Sequence, residues 1–200
     1  MKLARFISII LHPVFMPFYS FLISLHLYPD LGIIGNDFLS VIYLVLIGTT
    51  IILPIASVII LIRLKLVDSF EMANHSERSL PLVITALCMC LSLYLLENIL
   101  YFVYIIKLQL IGAILAIMLA SLISKFWKIS LHMLGVGGVL GIILSLNVFF
   151  ATKISIFIWG LLISGVLGVA RIYLKAHSQK QVYSGFLLGF LVLFCTLVLN

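Results

Sequence analysis

The stretch Ala170-Arg171-Ile172-Tyr173-Leu174-Lys175-Ala176-His177-Ser178-Gln179-Lys180-Gln181-Val182-Tyr183-Ser184-Gly185 joins two apolar runs, each about long enough to cross a bilayer. Arg171 closes the first run, His177 follows six residues later, and the second run begins at about Val182. A short polar junction between two such runs reads as the turn between membrane helices. A guanidinium and an imidazole at the mouth of those helices are also the beginnings of a site for an anion.

Composition extends that reading to the whole chain. Of 200 residues, 64% are hydrophobic and 9% charged, and the mean hydropathy is +1.37. A surface so poor in charge cannot face water on all sides, which excludes a soluble domain. The net charge of +6 is explained by the positive bias of membrane loops on one side, and no basic-aromatic patch points to nucleic acid. Cys88, Cys90 and Cys195 lie within apolar runs. Their spacing matches neither a zinc site nor a disulfide framework, so they read as small core residues.

The fold class expected is all-α: a polytopic bundle of about seven spans, with residues 1–200 as one integral membrane domain. The spans fall at roughly 6–28, 39–62, 82–106, 108–126, 131–150, 154–174 and 182–199. The first is kinked by Pro13 or Pro17, and the second carries Pro54. The first is too long for a signal-peptide core, is broken by proline and has no small-residue cleavage site after it, so it reads as a helix that stays. The longest polar segment runs from Arg63 to Pro81.

Threading these spans puts the amino terminus, the 63–81 loop, the 125–130 junction and the 171–181 junction on one side. Lys2, Arg5, Arg63, Lys65, Arg78, Lys125, Lys128, Arg171, Lys175 and Lys180 then share a face, ten of the twelve Lys and Arg residues. Only Lys107 and Lys153 lie opposite. The imbalance favours the cytoplasmic side, expected to be that of a bacterial inner membrane. An anion site would concentrate cations for its own reasons, so part of the excess belongs to chemistry rather than topology.

Three polar segments on this face carry an ordered pattern. Glu71 is followed after six residues by Arg78-Ser79-Leu80-Pro81, then come Ile129-Ser130-Leu131-His132, then Ala170-Arg171, five residues, His177, three residues and Gln181. This resembles the signature of the type 2 phosphatidic acid phosphatase superfamily, K-x(6)-R-P, P-S-G-H and S-R-x(5)-H-x(3)-D. Arg78, Ser130, His132, Arg171 and His177 match. Glu71 stands at the family's Lys, Leu131 at its motif Gly, Gln181 at its Asp, and the first proline is displaced to Pro81. The resemblance covers about residues 63–190.

The resemblance implies phosphate removal from a membrane lipid phosphate through a phosphohistidine. His177 takes the role of nucleophile and His132 that of the acid for the leaving oxygen, while Arg78, Arg171 and Ser130 hold the phosphate. Lys128 is the candidate to replace the family's lost cation. The residues themselves suit this chemistry. Phosphoryl transfer depends on positioning and on neutralising the equatorial oxygens, and guanidinium groups do both. Ser130 precedes an apolar helix as an N-cap would, which puts His132 in a first turn where the helix dipole favours an anion. Gly135, Gly137 and Gly138 along that helix permit close approach of a ligand or a neighbouring helix.

His177 and Gln181 are four apart, so on one helix they share a face, and the Gln carbonyl can fix the imidazole tautomer. It cannot stabilise an imidazolium as a carboxylate does. In serine-protease triads the comparable Asp→Asn change costs about 10⁴ in turnover. No cofactor and no metal is implied, because no carboxylate cluster is present to hold one.

Structural alternatives stand beside each assignment. Arg78 can pair with Glu77 or Glu71; Arg171, Lys175 and Lys180 can be interfacial anchors; His132 can bond backbone at a helix end. His12 is read first as bonding a carbonyl freed at the Pro13 kink, and second as lining the site. Glu97 and Asn98 are read as capping a helix on the opposite face, and His75 has no specific role. Gly137-x-x-x-Gly141 and Gly185-x-x-x-Gly189 read as close-packing motifs. For function, the alternatives are a catalytically impaired relative that binds or moves phospholipids and a small membrane transporter. The latter would call for broken helices in paired repeats, which are not found.

Overall fold

Ser130 and Ser178 each stand at the start of a long helix, and those two helices form the centre of the molecule. The computed structural model describes residues 1–27, 35–70, 72, 74–101 and 103–199. Its helices run in chain order as α1 (Lys2–Ile10), α2 (Met16–Leu27), α3 (Asn36–Leu46), α4 (Leu53–Arg63), α5 (Ser79–Leu95), α6 (Glu97–Leu100), α7 (Tyr104–Ser124), α8 (Leu131–Phe150), α9 (Ile154–Tyr173) and α10 (Gln179–Val198). No strand occurs among the described residues. Seven helical segments in them are long and apolar enough to cross a membrane. The chain is an all-α integral membrane protein.

α8 is the most buried span, with α10, α2, α9 and α7 packed around it. Lipid tails are as apolar as leucine, so helices in a bilayer associate through close packing rather than through burial from water. The glycine motifs supply that packing. A Cβ on Gly137 or Gly189 would overlap the carbonyl of Phe186 or Leu134, and one on Gly141 would lie 2.5 Å from the Phe190 oxygen. α8 and α10 therefore meet backbone to backbone. Gly135 instead admits Met16 and Pro13, so these glycines accommodate neighbouring helices, and Gly135 and Gly138 also border a cavity.

The kink expected in the first span falls at Pro13, and the second and third spans differ from the sequence reading. The first span breaks at Leu11–His12, passes through a 3₁₀ turn at Pro13–Phe15 and resumes as α2, because Pro13 has no N–H to continue α1. In the second span the backbone widens to a π-helix over Ile47–Ile52, just ahead of Pro54. There the missing N–H of Pro54 interrupts the ladder, and the Thr49 and Thr50 hydroxyls bond back to Val45 and Leu46. The third span does not run to 106. It ends at Leu95, α6 follows as a separate turn, and Ile105–Lys107 belong to the first turns of α7. Glu97 opens α6 behind Leu96 with no side-chain cap bond, so the capping role expected there is not made.

The four polar junctions are tied together at one end. The His75 ring bonds the Ser124 carbonyl at 2.8 Å, Arg78 Nη1 donates to Ile129 O at 3.1 Å, Ser130 N–H donates to Gln181 O at 3.3 Å, and the His132 ring bonds Ser8 O at 3.1 Å.

Candidate functional site

Two local stop-and-start signals place His177. α9 ends in a Schellman motif: Lys175 takes a left-handed φ of 53°, Ala176 N–H donates to Arg171 O at 3.1 Å, and Lys175 N–H donates to Ile172 O at 2.9 Å. α10 starts two residues later with a capping box between Ser178 and Gln181. The intervening turn turns His177 inward, to 8% exposure. The Ser178 N–H donates to Gln181 Oε1 at 3.0 Å, which fixes the orientation of that amide. The same oxygen lies 3.3 Å from His177 Nδ1. An oxygen can only accept, so Nδ1 carries the proton and the lone pair is on Nε2.

Burial, followed by the fields of Arg78 and Arg171, lowers the His177 pKa from its ordinary value to about 4; Gln181 opposes the shift and Lys128 adds slightly to it. His177 is thus neutral near pH 7, with a free nucleophilic nitrogen among cations.

Arg78 ends a 3₁₀ turn, His75–Arg78, and is only 6% exposed. Its Nε donates to Met72 O at 3.0 Å and its Nη1 to Ile129 O. Two backbone carbonyls hold the guanidinium flat against the start of α8. The Glu77 carboxylate accepts the Asp68 N–H, while Arg78 gives its Nε and Nη1 to backbone carbonyls. Glu71 lies outside the described residues.

Ser130 occupies the N-cap of α8, but its hydroxyl makes no cap bond. It is fully buried, and Oγ has no hydrogen-bond partner among the described residues. His132 lies in the first turn, with Nε2 on the Ser8 carbonyl. Against it stands His12, ring centroids 5.1 Å apart and planes at 83°. His12 Nδ1 accepts the Val14 N–H at 3.3 Å. It therefore caps the turn after the kink rather than bonding a freed carbonyl, and its N–H is on Nε2. Arg171 is central: its field reaches His12, Arg78, His132 and His177. Lys128 is half-buried and acts on His177, whereas Lys125 is exposed.

Arg78, Lys128, Ser130, His132, Arg171, His177 and Gln181 thus converge at one end of the bundle. The sequence reading missed the carbonyls of Met72, Ile129 and Ser8, which leave no signature in side chains. It also missed the Ser178–Gln181 capping box, whose S-x-x-Q spacing was there to be read. His12 was signalled as an ionisable residue inside an apolar span. Comparisons of the chain with protein-family models, curated proteins and solved structures return no match, and the chemistry of the site rests on its own geometry.

Proposed function

We propose that this protein is a membrane-embedded phosphatase that hydrolyses a phosphomonoester or diphosphate of a lipid through a phosphohistidine. The observation that carries this reading is the state of His177: buried, neutral, with its tautomer set by Gln181 and its free nitrogen among Arg78, Arg171 and Lys128. In the first step His177 Nε2 bonds to phosphorus while the bond from phosphorus to the lipid oxygen breaks. The electron pair stays on that oxygen, which takes a proton from His132. The Ser8 carbonyl holds His132 through Nε2–H, so Nδ1 is the nitrogen available; it takes up a proton from water as the dianionic phosphate binds and passes that proton to the leaving oxygen. Water then attacks the phosphohistidine and returns a proton to His132. Arg78, Arg171, Lys128, the Ser130 hydroxyl and the start of α8 supply charge and donors for the phosphoryl oxygens.

A second reading is a protein that binds or moves phospholipid without hydrolysing it. Gln181 favours it, because an amide shared with a capping box cannot stabilise an imidazolium as a carboxylate would. Phosphate release from decyl phosphate by the purified chain, with and without chelator, separates the two. The phosphatase reading expects release that chelator leaves intact and His177→Ala abolishes in a protein that still folds. No release from the wild type selects the binder. We place the site at the cytoplasmic face, which the distribution of Lys and Arg favours, and take the membrane to be a bacterial inner membrane.

A further inference from the structure

A cavity of about 200 Å³ opens beside the charged cluster, with His12, Met72 and Leu131 at that end. It runs between α2, α4, α5, α7 and α8. Along α8 it is lined from Leu131 to Ile142, a rise of about 16 Å, and on α7 it reaches Gln109 and Ile106. Apart from His12 at the mouth, its wall is functionally apolar, because its polar side chains are already engaged. Ser20, Thr50 and Thr85 donate to Pro17, Leu46 and Pro81 of their own helices, and Gln109 donates to Ser24 at 2.6 Å. On α7 the wall includes two small residues, Ala113 and Ala116, among the larger Ile106, Leu110 and Ile117.

We infer that this cavity receives the substrate's hydrocarbon chain, one chain and not two, so that the substrate class is a single-chain lipid phosphate or diphosphate. The inference rests on the reading of the cluster as a phosphate site. Three features point the same way. His12 lines the cavity and stands against His132 of the cluster, so a molecule with its phosphate at Arg171 has its tail directed inward. A volume of about 200 Å³ compares with the roughly 150 Å³ that admits one benzene ring, which suits part of one chain better than two chains side by side. Among the described residues the wall's hydroxyls are donated to their own helices and its single amide, Gln109, is tied to Ser24, so it is poorly equipped to recognise a glycerol ester.

The test is equilibrium binding to the full chain in nanodiscs, with empty nanodiscs subtracted, read alongside phosphate release. Decyl phosphate is expected to bind at least tenfold more tightly than dioctanoyl phosphatidate and than inorganic phosphate. Ala113→Phe and Ala116→Phe each fill the cavity and are expected to weaken decyl phosphate binding at least tenfold, without lowering the unfolding midpoint of the free protein by more than a few degrees. Leu119→Phe, at an exposed position on the same helix, serves as the control and leaves binding unchanged. Equal binding of the diacyl lipid, or decyl binding that survives both alanine substitutions, overturns the inference. Should either variant unfold, Ala113→Leu gives the same reading with less bulk. Binding that follows this pattern without phosphate release would sink the phosphatase reading and leave the chain site standing. Release without the pattern would do the reverse.

Discussion

Gln181 Oε1 lies 3.3 Å from His177 Nδ1 and also accepts the N–H of Ser178 at 3.0 Å. One amide oxygen therefore closes the N-terminus of α10 and sets the tautomer of the buried imidazole. A carboxylate of the same length would keep both bonds, since Glu is an equally good third residue of a capping box, and would add charge stabilisation for the imidazolium. Gln181→Glu is expected to raise turnover of decyl phosphate tenfold or more. Gln181→Leu is expected to lower it and to cost about 1 kcal/mol of stability through the lost cap. Steady-state kinetics and a thermal melt measure both; a Glu variant no faster than wild type removes the argument from charge stabilisation of the imidazolium.

The His177 pKa gives a second expectation. Its folded value is lowered to about 4, against about 6.5 for an unfolded imidazole. Between those values the unfolded chain binds the extra proton. This residue therefore costs stability progressively as the pH falls from about 6.5 to about 4, and nothing further below. In the free folded protein the nucleophile stays neutral, so its contribution to the acid limb of kcat/KM is expected well below pH 6. Arg78→Gln removes a neighbouring cation and is expected to move the His177 midpoint upward in an NMR titration. A downward or absent movement would place Arg78 outside the reach of His177.

Much of the fold was legible in the sequence because lipid imposes a simple rule: some 20 apolar residues per span, with polar turns between. What escaped were the interruptions inside apolar runs. The end of α5 at Leu95 is followed by Leu96, Ile99, Leu100 and Val103, which are apolar enough to hide the break. The π-helix before Pro54 is a matter of backbone hydrogen bonds, which side-chain hydropathy does not register. The site divides the same way. Arg78, Ser130, His132, Arg171 and His177 were readable as ordered side chains on one face, but the carbonyls that aim them belong to Met72, Ile129 and Ser8, chosen by the fold and not by residue type.

The α8–α10 contact carries a structural prediction. Ser130 and His132 start α8, His177 and Gln181 flank the start of α10, and Gly185 lies between them with no room for a Cβ beside the Ser130 carbonyl. Gly185→Val would push the two helix starts apart. The expected cost is about 1–3 kcal/mol or more from overpacking, with loss of phosphate release at temperatures where the protein remains folded. Gly165, whose Cβ would meet nothing within 4 Å, provides the contrast: Gly165→Ala is expected to leave both midpoint and release unchanged.

Ser130 separates binding from folding most sharply. Its Oγ is buried, makes no cap bond and has no partner among the described residues. A hydroxyl in that condition costs about 1–3 kcal/mol relative to one that is satisfied. Were it a structural residue, Ser130→Ala would lower the melting temperature, as loss of an N-cap does. As a donor held for the phosphate, it gives the opposite pattern. Ser130→Ala is then expected to raise stability by up to about 1 kcal/mol while weakening decyl phosphate binding about fivefold or more, as the loss of one charge-assisted hydrogen bond would. Thermal unfolding of the free and ligand-bound protein reads both quantities in one experiment. A variant that melts lower and binds as well as wild type would return Ser130 to the backbone architecture of α8.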